Sequence, residues 1–248
     1  MPKPVAINPK LTLARKVLAK LRPALLRGVA TQARMQVAPA TAEAELSKLE
    51  SSIQGTIEYV LNATQLPVVP HSQPLPETGW AFQALTGQRN AKHGVASSGP
   101  LLGFVQGGKL GVMALLLAEA EDATVAAAGE GAHGPDGRLR VSGRTLPDGI
   151  IMLPMSSIDT ATLKLMEHGD ATPFHTRKTG NVLADALRVA SGQAEGMVAT
   201  RLTDLEKLAI DLLVREAGGT CKIMPTTAGE TLVAGNLKVV NDLSALLK

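Results

Sequence analysis

The residues best placed to do chemistry lie in the stretch Trp80 to Gly94, WAFQALTGQRNAKHG. The turn Thr86-Gly87-Gln88 leads into a short helical pattern, Gly87 to Lys92, with Arg89 in its first turn. Backbone N–H groups at such a turn, beside a guanidinium, suit a phosphate group. Gly87, Gln88 and Arg89 are therefore expected to bind phosphate. Other reactive types are scattered. His71, His133, His168 and His175 have no metal-ligand spacing, and His93 reads as structural. No Ser-His-Asp arrangement follows from spacing. Cys221, the one cysteine, reads as a small buried hydrophobe on a strand. Glu206 is a first-turn helix acid favoured by the dipole, Glu77 a solvated loop residue. Asp185 and Asp211 read as capping, pairing or solvent-facing groups.

Composition narrows the field. The 248 residues are 45% hydrophobic and 19% charged, as in a globular protein with a sizeable core. Aromatics are only 2%, so the core must be built from aliphatic side chains. Stacking platforms for bases are scarce, and nucleic acid is not an expected partner. One cysteine excludes a disulfide framework. The longest apolar run, about Leu110 to Ala118, is too short to span a bilayer, and no leader pattern is read. A cytoplasmic location is expected.

The net charge is +3, unevenly spread: no acidic residue precedes Glu43, while eight Lys or Arg lie between Lys3 and Arg34. Leu13, Val17, Leu18, Leu21, Leu25 and Val29 recur between them at helical spacing. This is a first helix with a basic face, either simply solvated or offered to an acidic partner.

The elements that must position the site follow from periodicity and breakers. Helices are predicted over 9–33, with Pro23 as a kink or break, and over 41–63, with Thr41 as N-cap. Residues 64–79 carry four prolines and should be loop or extended chain. Trp80 to Gln83 should be a short strand. A hairpin is predicted from 101–106 and 109–117 around Gly107-Gly108, continued by 123–132, a turn at 134–137 and a strand RLRVSG, all in sequential antiparallel pairing. Beyond residue 146 strands and helices alternate: strands at 149–154, 172–176, 196–200, 221–224 and 232–235, helices at 156–169, 180–192, 203–217 and 239–248. That rhythm suggests a layered α/β half. One domain over 1–248 is expected, with an α+β half to about 146 and an α/β half after it.

Four segments, in order, resemble the inositol monophosphatase-like superfamily of magnesium-dependent, lithium-sensitive phosphatases. DLEKLAIDLLVREAGGTCKIM (204–224) is similar to its C-terminal Trp-Asp helix signature. TRKTGNVLADALRVASGQAEGMV (176–198) resembles its Gly-Ser segment. GEGAHGPDGRLRVSGRTL (129–146) resembles its Gly-rich hairpin. WAFQALTGQRNAKHG resembles its Trp-x-x-Asp-Pro-Ile/Leu-Asp-Gly-Thr motif. The resemblance implies a five-layered αβαβα sandwich, commonly a homodimer, in which carboxylates hold two or three Mg²⁺ ions around a phosphate ester. Mg²⁺ wants oxygen ligands in near-octahedral geometry, and one carboxylate cannot hold two dications.

The implied ligands are mostly absent. The motif's first metal-binding Asp falls on Gln83 and its second on Thr86; the threonine that helps hold phosphate falls on Gln88. Gly87, Asn90, His93 and Gly94 remain. The Asp of the Trp-Asp pair falls on Glu206, with Leu205 for the tryptophan, and the Ser of Gly-Ser falls on Asn181. The Gly-Glu-Glu loop is replaced by VVPHSQPLPETG, with Glu77 its only acid; the upstream Thr-x-x-Asp element falls on Thr41 to Ala44, with Glu45 one position off. The expectation is a pseudoenzyme with a vestigial site at Gln83, Thr86 and Glu206, no resident cofactor, and a structural, regulatory or partner-binding role as a homodimer or subunit of a larger complex. Two alternatives stand beside it. One is residual Mg²⁺-dependent hydrolysis of an inositol, sugar or nucleotide phosphate, with Glu206 and Glu77 as ligands. The other is a metal-free phosphate-binding module.

Overall fold

A computed structural model describes residues 8–35, 39–153, 163, 165, 167, 174–226 and 229–247. The predicted helix 156–169 and the start of the strand at 172 lie largely outside these residues, as does His168.

Helix α1 (Pro9–Arg34) starts where Asn8 Oδ1 accepts the N–H groups of Lys10 and Leu11, with Pro9 in the first turn. It runs through Pro23 as one helix. Ala14, Val17, Leu18, Leu21, Leu25 and Val29 form its buried stripe. Helix α2 (Pro39–Asn62) packs beside it. Thr41 lies inside α2 and is not its N-cap: the helix is already under way at Pro39, a residue whose fixed φ suits a first turn.

The first sheet has seven strands in sequential order: β1 (Val68–Pro70), β2 (Thr78–Thr86), β3 (Gly99–Gln106), β4 (Lys109–Leu115), β5 (Thr124–Ala127), β6 (Gly131–Gly134) and β7 (Gly137–Arg138). All pairings from β2 onward are antiparallel. The β3–β4 turn uses Gly107 and Gly108 at φ 58° and 69°, the left-handed conformation that a two-residue hairpin favours. The proline-rich segment contributes β1, which pairs parallel to β2. Of RLRVSG only Arg138 lies in a strand, as the second residue of β7. Beyond it the chain leaves the sheet, and Val141 N–H bonds Ala217 O instead.

The second half supplies β8 (Ile150–Met152), β9 (His175–Arg177), α4 (Val182–Ala190), β10 (Gly196–Thr200), α5 (Asp204–Glu216), β11 (Thr220–Thr226), β12 (Gly229–Gly235) and α6 (Leu237–Leu246). Its five-stranded sheet has the order β11-β12-β10-β8-β9. It mixes parallel and antiparallel pairs.

Alternation along the strands sorts the core into layers. Trp80, Phe82, Leu102, Phe104, Val112, Ala114 and Val125 face α1 and α2. Ala81, Leu101, Met113 and Ala126 point the other way, into a core shared with α4, α5 and one face of the second sheet, through Met152, Met197, Leu232 and Ala234. The opposite face of that sheet, through Ile151, Val198 and Val233, packs on α6 and on Leu165. The order is helices, sheet, helices, sheet, helices, the expected αβαβα sandwich. It places the end of β2 against the starts of α4 and α5, where the cleft described below opens.

Candidate functional site

The site is assembled at the end of β2. The β2–β3 register slips by one residue between Gln83, opposite Leu101, and Thr86, opposite Gly99. A bulge of this kind bends the strand and re-aims its side chains. Thr86 is buried, and its hydroxyl donates to Gly99 O at 2.8 Å. Gly87 follows at φ 63° and caps the short helix α3 (Gln88–Lys92). A Cβ on Gly87 would stand 2.8 Å from Ser97 O and 2.9 Å from Asn181 Nδ2. Only glycine fits here, on both counts.

Asn181 is the second organiser. Its Oδ1 caps α4 by accepting Leu183 N–H at 3.0 Å, while Nδ2 donates to Thr86 Oγ1 at 2.9 Å and to Ser97 O at 3.2 Å. Asn90 Nδ2 bonds both Ser97 O and Thr179 O. Two amide side chains thus tie the 86–97 segment to the 179–181 segment. Asp185, one turn into α4, accepts Thr179 N–H at 3.0 Å. It is fully buried, so of the roles expected for it, capping, pairing or facing solvent, the last is excluded. Burial pushes its carboxyl up to about 6, against the opposing pull of Thr179 and Arg188.

These segments enclose a cleft of about 420 Å³. Gly87, Gln88 and Arg89 form one wall, Lys178, Gly180 and Asn181 a second, and Thr200, Arg201, Leu202 and Glu206 a third. Among the described residues Glu206 is the only acidic one on it. The Glu206 carboxylate closes a capping box: Oε2 accepts Thr203 N–H at 2.9 Å and Thr203 Oγ1 at 3.0 Å, and Glu206 N–H returns a bond to Thr203 Oγ1. Three cations share the cleft with it. Among the described residues Arg89, Lys178 and Arg201 have no ion-pair partner. Also among the described residues, no three His, Cys, Asp or Glu side chains are grouped so as to hold a metal ion.

No family profile matches the chain, and no curated protein matches it. Solved structures do. The extragenic suppressor protein suhB from Bartonella henselae matches with a TM-score of 0.82 at 19% identity, over 97% of this chain and 99% of that one. Inositol monophosphatase from Anabaena (Nostoc) sp. PCC 7120 matches with a TM-score of 0.75 at 18% identity, over 96% and 94%. Inositol monophosphatase II from Staphylococcus aureus MSSA476 gives 0.77 at 15%, over 96% and 95%. The fold is that of the inositol monophosphatases. Identities this low carry the architecture alone.

Within the inositol monophosphatase fold, the expected site residues separate. Gly87, Gln88, Arg89 and Glu206 meet at the cleft. Thr86 sits behind it, in the Asn181 network. Gln83 Oε1 is buried and receives no hydrogen bond from the protein. Gln88 Nε2 also reaches α2, donating to Glu50 at 2.7 Å. Glu77 precedes the far end of β2, and nine strand steps put it about 30 Å from Thr86; the structure does not bring it to the cleft. Glu45 lies on α2, paired with Lys48 at 2.6 Å. His93 is the C-cap of α3. Asp211 pairs with Arg215 at 2.6 Å. Cys221 stands on β11 with Sγ turned to Ile210 O, and burial pushes its thiol pKa up, which keeps it inert. Lys178 and Arg201 went unnoticed in the sequence. Lys178 lies in the 176–198 segment without marking any motif position in it, Arg201 follows β10 with no motif of its own, and only the fold brings them to the cleft with Arg89.

Proposed function

We propose that this chain is an inositol monophosphatase-like protein that keeps the fold without metal-dependent hydrolysis, and that it acts by binding. The observation that carries this reading is Glu206. Among the described residues it is the cleft's only acidic one, and its Oε2 already holds the start of α5. Two Mg²⁺ ions need several convergent carboxylates. Gln83 Oε1 is a neutral donor. Thr86 Oγ1 is occupied by Gly99 and Asn181. Arg89, Lys178 and Arg201 add positive charge where dications would have to sit. These donors do not fit a Mg²⁺ pair, and no hydrolytic step is derived through one. Residual hydrolysis would need a further carboxylate, and Glu77 is too far away to supply it.

The same three cations favour a second reading, a phosphate-binding module that needs no metal. A partner-binding role is compatible with either. Helix α1 carries no acidic residue. Its exposed Lys16, Lys20, Arg27 and Arg34, spaced by four, seven and seven, share one face. That face suits an acidic partner, and a homodimer or a subunit of a larger complex is the assembly proposed. No helix among the described residues is long and apolar enough to cross a membrane, and we place the protein in the cytoplasm.

Mn²⁺ titration followed by electron paramagnetic resonance tests the metal claim. The expected result is that Mn²⁺ stays free at concentrations up to about those of the protein. A stoichiometric site that Glu206→Gln abolishes would contradict it.

A further inference from the structure

We propose that the cleft is a metal-independent site for a small ligand carrying two phosphate groups, held by Arg89, Lys178 and Arg201. This deepens the non-hydrolytic reading and rests on it. The three cations come from separate parts of the chain: α3, the connection before α4, and the connection between β10 and α5. Some cations elsewhere in the described structure are ion-paired, such as Arg144 with Glu195 and Arg215 with Asp211, and others, such as Lys16 and Lys20 on α1, stand exposed along a helix face. At the cleft three are brought together without a partner. Like charges in one cleft repel, and an anion that enters relieves that repulsion.

The size and lining define the ligand class. About 420 Å³ is far more than one phosphate fills, and the cations stand on three walls of it. Two phosphate groups would use more of that space and more of those walls than one. They would also match three cations, with Glu206 held back by its own helix cap. Arg89 and Arg201 offer planar forks for bidentate phosphate contacts, and Lys178 a point charge. Among the described residues no aromatic one lines the cleft, so none of them stacks on a base.

Arg201 supplies an independent sign. It is one of three non-glycine residues with positive φ in the described structure, at 57°. An L-residue held there costs about 1–2 kcal/mol. Such strain persists where its surroundings enforce it, and it concentrates at ligand clamps. Thr200, Arg201 and Leu202 all line the cleft, so the strained residue is part of its wall. A glycine would sit at this φ without cost, but would bring no guanidinium.

The test is calorimetric titration of the full chain with pyrophosphate and with orthophosphate, in EDTA and at low salt. Pyrophosphate should bind one to one, at least tenfold tighter than orthophosphate. Lys178→Gln and Arg201→Gln should each weaken it tenfold or more; both side chains are exposed and unpaired, so the fold should survive. Lys16→Gln/Lys20→Gln, on the basic face of α1, should leave binding unchanged. Arg201→Gly should raise the unfolding midpoint while losing affinity, which a purely structural arginine would not do. No binding in EDTA, equal affinity for the two anions, or full affinity in the Lys178 and Arg201 variants would each overturn the proposal. Parallel samples with Mg²⁺ are assayed for pyrophosphate cleavage. Cleavage would overturn the non-hydrolytic reading, whatever the EDTA arm gives. Absence of both cleavage and binding would overturn the two-phosphate site alone.

Discussion

Asn181 Nδ2 lies 2.9 Å from Thr86 Oγ1, a buried contact between residues 95 positions apart. At the two positions where the resembling family places a metal-binding Asp and the Ser of its Gly-Ser segment, this chain has a hydrogen-bonded pair that joins its halves. Replacing Asn181 by Ala removes the α4 cap, worth about 1 kcal/mol, and the two hydrogen bonds from Nδ2 to Thr86 Oγ1 and Ser97 O, at about 0.5–1.5 kcal/mol each; Thr86 keeps Gly99 O and Ser97 keeps Asn90 Nδ2. Asn181→Ala should destabilise the protein by about 2–4 kcal/mol in urea unfolding. Asn181→Ser, which can still cap α4, should cost less. Equal costs would mean that the cap contributes nothing, and an Asn181→Ser variant as stable as wild type would mean the same of the contact to Thr86.

Gly87 is coupled to the same pair. Gly87→Ala must hold an L-residue at φ 63° with its Cβ 2.9 Å from Asn181 Nδ2. A loss of about 2–3 kcal/mol is expected. Part of it should be relieved when Asn181 is also shortened to Ala, so the double mutant should be more stable than additivity predicts. Strict additivity in a double-mutant cycle would show that the two sites do not touch.

For Glu206 the prediction concerns α5. A capping box accepts Glu or Gln at this position, so Glu206→Gln should change stability by less than about 0.5 kcal/mol. Glu206→Ala should cost about 1 kcal/mol. A Glu206 that had been held under electrostatic strain in a metal site would behave the other way, with neutralisation raising the thermal midpoint clearly.

Asp185 makes the folded state take up a proton. Its carboxyl is pushed up to about 6 from an ordinary 3.8, chiefly by burial. The folded chain therefore holds more protons than the unfolded chain between those values. The stability this group contributes is complete below about 3.8, falls as pH rises, and is gone above about 6. The span corresponds to at most about 3 kcal/mol. Asp185→Asn keeps an acceptor for Thr179 N–H and does not titrate. The wild-type protein should lose stability relative to Asp185→Asn as pH rises from 4 to 7. Parallel stability curves for the two proteins would refute the buried, protonated carboxyl.

Much of the architecture was legible because it rests on local chemistry. The α1 stripe from Leu18 to Val29, the Gly107-Gly108 hairpin and the helix from Thr203 with Glu206 in its first turn each announce themselves within a few residues. Boundaries set by tertiary pairing were not. Val68–Pro70 becomes a strand only because β2 lies beside it. Thr41 looked like a cap because the chain before it gave no stronger start signal. At the cleft, Gly87 and Glu206 could be found from the motif they resemble. Lys178 and Arg201 could not, since neither residue type nor spacing marks a cation whose neighbours come from other layers of the fold. For Asp185 the sequence left capping, pairing and solvent-facing roles open, and only the packing around α4 decides among them: the carboxyl is buried and accepts Thr179 N–H.

The most direct measurement is phosphate release from a panel of phosphate monoesters (inositol, sugar and nucleotide phosphates) in Mg²⁺ and in Mn²⁺, with wild type beside Glu206→Gln. No metal-dependent turnover from either protein is predicted, with both folded by circular dichroism. Turnover that requires the metal and disappears in Glu206→Gln would contradict the account and return Glu206 from a helix cap to a catalytic metal site.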